Sequence, residues 1–211
     1  MSASAHHFDP FRPIPPGADK AQAAQAGARV NQRLRRAEIR AVTRRLLAEE
    51  GVEGVTMRRI ARESGFALQT IYNLVGPRDQ AITDAISEYS LHVGRVASTG
   101  ATPPTLGKVV DMWIAGAEAC PEFARQCHRI YFTPSRAIYC RFRDIQIRGM
   151  AKFLRNQEAA GAMYFHTSPR RLAEQLVFYA AALWLDWADQ DYPLAVLRER
   201  LTPGLVKLSR D

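Results

Sequence analysis

An all-α fold is predicted by three features of this sequence. Apolar residues recur at helical spacing, glycines and prolines fall between such runs, and no stretch of convincing length alternates polar with apolar residues. The 211 residues, 47% of them hydrophobic, can fill a sizeable core. No apolar run approaches the roughly 18 to 20 residues of a membrane helix, since LVFYAAALWLDWA is broken by Asp186. The N-terminus shows no export signal, so a cytoplasmic protein with no membrane partner is expected.

Residues 1–30 mix Pro, Gly, Ala and Gln without apolar periodicity and read as a disordered arm. From Asn31 a helix is predicted: Ile39, Val42, Leu46 and Leu47 form one buried stripe, arginines occupy the other face, and Gly51 ends it. Thr56 is a suitable N-cap for a second helix, with Met57, Ile60 and Ala61 facing inward and Gly65 closing it. Leu68 to Leu74 forms a short third helix. Gly76 and Pro77 interrupt the chain, and a fourth helix runs on through Ile82, Ile86 and Tyr89. The segment 96–107 reads as a linker or loop. Beyond it the pattern predicts helices at about 105–119, 121–132, 135–160, 168–190 and 194–209, punctuated by Pro134, Gly161, Pro169 and Pro193.

Charge is concentrated. The chain carries a net +8, and residues 29–62 hold ten arginines against Glu38, Glu49, Glu50 and Glu53, whereas residues 81–211 are near neutral. Such a patch fits a polyanion partner or a solvated helix face. Within it, Arg58 and Arg59 stand in the first turn of the second helix, facing the positive end of its dipole, an arrangement that a bound phosphate would offset. A capped helix, a tight turn at Gly65 and Phe66, and a helix too short to stand alone form a helix-turn-helix layout. Ile71, with Tyr72 and Val75 in part, would pin the short helix. Leu68, Gln69, Thr70 and Asn73 would then face outward, where amides can pair with adenine edges and methyl groups can touch thymine. An ordinary helical hairpin is the alternative.

The run TMRRIARESGFALQTIYNLVGPRDQAI, preceded by a helix ending LLAEEG, resembles the signature of TetR-family transcriptional regulators over residues 36–86. The resemblance implies a three-helix helix-turn-helix DNA-binding domain, here 31–80, joined to a larger helical domain, 81–211, for effector binding and dimerisation. It also implies that Thr56 caps the second helix and contacts phosphate, that Arg58 reaches a base or phosphate, that the Tyr72 hydroxyl contacts the DNA backbone, and that Arg78 stands where a lysine usually grips phosphate. Ala67, Val75 and Gly76-Pro77 depart from the family pattern. The expected partners are a near-palindromic double-stranded DNA operator, a second copy of the chain and a small-molecule effector.

The remaining readings are open-ended. Trp113, Phe123, Cys127, Tyr131 and Tyr139 are core residues or the wall of an effector pocket, and Arg125, His128 and Arg129 could orient a polar ligand. Phe178, Ala182, Leu185 and Leu201 belong to two helices that are buried within the chain or form a dimer face. Cys120, Cys127 and Cys140, odd in number and lacking zinc-type spacing, predict reduced thiols without metal or cofactor. No catalytic constellation is recognisable, so a regulator is expected; an architectural DNA-binding protein and a helical small-molecule enzyme are the alternatives.

Overall fold

The computed structural model describes residues 9–14, 26–97 and 105–210, with side chains from 29 to 93 in the middle segment. Among them are nine α-helices: α1 (Ala26–Gly54), α2 (Met57–Ser64), α3 (Leu68–Val75), α4 (Arg78–Ala97), α5 (Leu106–Ala119), α6 (Pro121–Arg129), α7 (Arg136–Ala159), α8 (Pro169–Gln190) and α9 (Leu194–Leu208). A 3₁₀ turn, Ile130–Phe132, follows α6, so the helix expected over 121–132 tightens in its last turn. The predicted 96–107 loop falls largely outside the described residues.

Local signals account for most boundaries. Thr105, Ser135 and Ser168 each accept a hydrogen bond from the backbone N–H three residues on, capping α5, α7 and α8. Gly51 has φ 69° and breaks α1 where expected, although one further turn continues to Gly54. α9 carries Pro203 in its interior, and at Gly204 an added Cβ would overlap the Tyr179 hydroxyl, which donates to the Arg200 carbonyl at 3.1 Å. That contact ties α8 to α9.

Two hydrophobic clusters organise the helices. The first joins Ile39, Leu46 and Leu47 of α1, Ile60 of α2, Ile71 and Val75 of α3 and Ile82 and Ile86 of α4 to Phe123 and Cys127 of α6, Ile130, and Ile138 and Phe142 of α7. The second joins α5, α7, α8 and α9 around Leu154, Leu176, Trp184, Trp187 and Leu197. Packing therefore does not divide at residue 80: the core under α1–α3 runs on through α4 into α6 and α7.

The C-terminal half of α1 is enclosed on more than the single stripe its large apolar residues announce. Ala37, Ala41, Thr43, Arg44 and Ala48 are also buried, small residues apart from Arg44 that let neighbouring helices approach closely. Arg44 is fully buried. Its guanidinium donates to Glu88 at 3.0 Å and to the carbonyls of Ala85 at 3.1 Å, Arg12 at 3.0 Å and Pro10. Residues 9–14 are accordingly seated rather than disordered, correcting that part of the 1–30 expectation. Ile14 is buried, and Phe11 meets Phe123 edge-on at 6.4 Å. A buried cation and a few apolar side chains supply what this segment's own composition does not advertise.

Candidate nucleic-acid interface and internal cavity

Thr56 is extended (φ −123°, ψ 150°), and its hydroxyl accepts from the Arg59 N–H at 3.2 Å, starting α2 where the sequence places it. Met57 and Ile60 bury the inner face of α2. Gly65, at φ 71°, closes the helix through its N–H to the Ala61 carbonyl, a left-handed conformation that favours glycine. Ala67 gives α3 no side-chain cap, so this eight-residue helix is held by Ile71 and Val75, 0% and 2% exposed, and by Gly76 at its end.

That anchoring turns Leu68, Gln69, Tyr72 and Asn73 to solvent, with Thr70 half-buried beside them. Gln69 Nε2 donates to Asn73 Oδ1 at 3.1 Å, aligning the two amides one turn apart and leaving further donor and acceptor capacity on both. Around this row the arginines divide into two kinds. Arg58 is exposed and makes no hydrogen bond or ion pair among the described residues. Arg35 lies over the Phe66 ring at 5.9 Å, bringing the basic start of α1 beside the turn between α2 and α3. Sequence reasoning saw the patch but did not single out Arg35; a cation–π partner 31 positions away leaves no local signal.

Arg59 has protein partners in place of the expected phosphate. It pairs with Glu50 and Glu63 and donates to the Gly54 carbonyl at 3.4 Å. Glu63 also takes Arg45 at 3.1 Å and Arg62 at 3.4 Å. Burial pushes the Glu63 carboxyl up, but hydrogen bonds from Arg45, Arg62 and Arg59 outweigh it and hold the group below its ordinary range. Arg78 is likewise turned inward: Nε donates to the Val55 carbonyl at 2.6 Å, Nη2 to the Val52 carbonyl, and Nη1 to Asp79 at 3.2 Å. The phosphate-gripping position implied by the resemblance thus holds a guanidinium that fastens the end of α1 to the start of α4. Asp79 extends the link by accepting from the Ser135 hydroxyl at 3.0 Å.

A cavity of about 310 Å³ lies among α4 to α8, at the small end of the roughly 300–1,000 Å³ typical of ligand pockets. Trp113, Phe123, Cys127 and Tyr131 line it as the sequence suggested. Tyr139 does not; it stands behind Tyr131, ring centroids 5.8 Å apart, with Arg143 over its face. Arg125 and Arg129 also point elsewhere, Arg125 to Asp191 and the Trp187 ring, Arg129 to the Ala188 carbonyl at 3.2 Å. His128 is on the wall, stacked on Trp184 at 4.5 Å, and burial lowers its pKa to about 3.

On α8, Phe178 is 48% exposed, Ala182 is exposed and Leu185 partly so, forming a continuous outer stripe. Leu201 is 0% exposed within the second core cluster and cannot belong to an outward face. Its helical spacing alone could not say which side of α9 the rest of the chain covers. All three cysteines are free thiols, and no group of metal-binding side chains forms among the described residues. No described helix is long and apolar enough to cross a membrane.

Residues 39–73 match the family model described as "Bacterial regulatory proteins, tetR family". No curated protein matches the chain. Among solved structures, the fatty acid degradation regulator FadR of Bacillus halodurans is 14% identical, with a TM-score of 0.61 over 82% of this chain and 94% of that one. FadR of Thermus thermophilus, a TetR-family repressor solved with lauroyl-CoA, is 17% identical, with a TM-score of 0.58 over 81% and 93%. The TetR-family repressor QsdR of R. erythropolis is 20% identical, with a TM-score of 0.56 over 83% and 94%. The helix-turn-helix segment of this chain is therefore that of the TetR family of bacterial regulatory proteins, and the helices around it are arranged as in solved members of that family.

Proposed function

We propose that the chain is a cytoplasmic, sequence-specific DNA-binding regulator, a homodimeric repressor that leaves a near-palindromic operator when a small molecule occupies its cavity. One observation carries the reading. α3 is locked from beneath by Ile71 and Val75 while presenting Leu68, Gln69, Thr70, Tyr72 and Asn73 outward beside Arg58, which is exposed and has no ion-pair partner among the described residues. Amides at Gln69 and Asn73 suit adenine edges, and Leu68 or the Thr70 methyl suits thymine. Arg58, Thr56 and Tyr72 flank the row where phosphates would run. Arg59 and Arg78 serve the interface indirectly, by fixing how α2 and α4 meet the end of α1.

Two such helices must sit about 34 Å apart to read successive major-groove faces, which requires a symmetric dimer. The outer stripe of Phe178, Ala182 and Leu185 is the face assigned to it. The complex of the Thermus repressor with lauroyl-CoA supports the effector half of the reading. Ile86 and Tyr89 on the cavity wall belong to α4, whose first residue, Arg78, holds the end of α1. A ligand that shifts α4 would re-aim α2 and α3 and favour a dimer geometry that no longer fits the groove.

The test compares variants on a selected duplex and its single-base derivatives. Gln69→Ala and Asn73→Ala should change which bases are preferred, whereas Arg58→Ala should weaken all sequences alike and lower the salt dependence by about one phosphate contact. Unchanged preference in both amide variants would sink the assignment of α3.

A further inference from the structure

The cavity's wall has a consistent chemistry. Among the described residues lining it there is no Asp, Glu, Lys or Arg. Trp113, Met112, Phe153, Val177 and Trp184 make it predominantly apolar, and the polar groups that interrupt it are neutral. Two of these already have partners within the chain: the Tyr89 hydroxyl donates to the Gly116 carbonyl at 3.2 Å, and Ser87 donates to the Thr83 carbonyl at 2.5 Å. Gln146 and Tyr131 add hydrogen-bonding capacity without charge.

His128 is different. Its ring lies flat on Trp184, at an interplanar angle of 6°, and borders the cavity, while its Nδ1 is buried without a hydrogen-bond partner. With its pKa lowered by burial the imidazole is neutral, so one nitrogen carries a proton and the other a lone pair. Sealing an N–H at Nδ1 without an acceptor is the costlier arrangement. The proton therefore belongs on Nε2, the nitrogen that is not sealed, and the ring offers one N–H donor to whatever fills the space.

We propose that the cavity takes a small, uncharged, mainly apolar molecule with one carbonyl-type acceptor, such as a ketone or ester, whose oxygen accepts a hydrogen bond from His128 Nε2. The proposal deepens the effector reading above and rests on it for regulatory meaning. A carboxylate or ammonium in the same place would be stripped of water and, among the described residues, meet no counter-charge. A volume of about 310 Å³ also disfavours a bulky ligand. Among the described lining residues the polyanionic head of an acyl-CoA finds no cation, in contrast to what the ligand of the Thermus structure would suggest.

Trp113 and Trp184 border the cavity, so binding can be followed by intrinsic fluorescence on the full-length protein without DNA. At pH 7.5, 2-nonanone should saturate the signal and bind at least tenfold more tightly than nonanoate or lauroyl-CoA. His128→Phe, which keeps a ring against Trp184, should weaken 2-nonanone about five- to tenfold, the loss expected of one hydrogen bond, and His128→Gln should recover part of it. Binding of nonanoate or lauroyl-CoA as tight as the ketone's, absence of saturable ketone binding, or an unchanged affinity in folded His128→Phe would overturn the proposal. If that variant does not fold, the ranking of ligands on the unmodified protein decides alone. Ketone binding that leaves the DNA complex intact would instead count against the effector reading, leaving the ligand class standing.

Discussion

Replacing Arg44 with methionine should loosen the N-terminal segment and destabilise the whole helical unit. The side chain is fully buried and donates to Pro10, Arg12, Ala85 and Glu88. Methionine keeps much of the volume but removes every donor. Glu88 retains Arg40 at 2.8 Å, so its charge is not orphaned and the full ~3–5 kcal/mol of a broken buried pair does not apply. The carbonyls of Pro10 and Arg12 would be left without a partner unless residues 9–14 lift away, which exposes Ile14 and Phe11. Either route costs about 1–3 kcal/mol, and with the lost bond to Glu88 the total is about 2–4 kcal/mol. For a chain of this length that is roughly a 5–15 °C fall in Tm. The same substitution in a protein lacking residues 1–14 should cost about 1–2 kcal/mol, because two of the four acceptors are already gone. Urea unfolding of the four proteins measures the coupling. Equal losses in both backgrounds would refute the claim that Arg44 holds the segment.

Three further outcomes follow from the packing. His128 is neutral and partly buried, with a folded pKa of about 3 against about 6.5 when unfolded. The unfolded chain therefore binds the extra proton, and stability should fall by up to about 1.4 kcal/mol per pH unit as pH drops from 6.5 towards 3, a component that His128→Phe removes from the pH dependence of urea unfolding. Phe178→Glu should yield monomers in analytical ultracentrifugation with little change in monomer stability, whereas Leu201→Ala, at a wholly buried position, should cost about 2–5 kcal/mol. Gly204→Ala places a Cβ against the Tyr179 hydroxyl and ring and should cost about 1–3 kcal/mol beyond what the same change costs in a Tyr179→Ala background, where the overlapping ring is gone; thermal melts of the single and double variants read the difference.

What was legible in the sequence was mainly local. Thr56, Gly65 and Ser168 mark helix ends because caps and left-handed residues act within a few positions, and the helices appear within a few residues of the expected boundaries. The outward row on α3 follows from the same logic once Ile71 and Val75 are assigned inward. Long-range partners left no such trace. Arg44 and Arg58 look alike in a list of arginines, yet one is sealed beneath residues 9–14 and the other is open. Arg59 and Arg78 read as phosphate ligands until Glu50, Glu63 and the carbonyls at the end of α1 come into reach through the fold. Tyr139 has the right character for the cavity but stands behind Tyr131, and Leu201 has the right character for an interface but is enclosed in the core. Helical periodicity identifies a face; it does not say which neighbour covers it.

The central claim is that α3 reads a specific sequence from a symmetric pair of chains. Selection of bound fragments from a random duplex pool, with the purified full-length protein at physiological salt, tests it most directly. The account predicts enrichment of a near-palindrome whose half-sites lie about one helical turn, or a multiple of it, apart. A folded protein that binds the pool without enriching any sequence would contradict it.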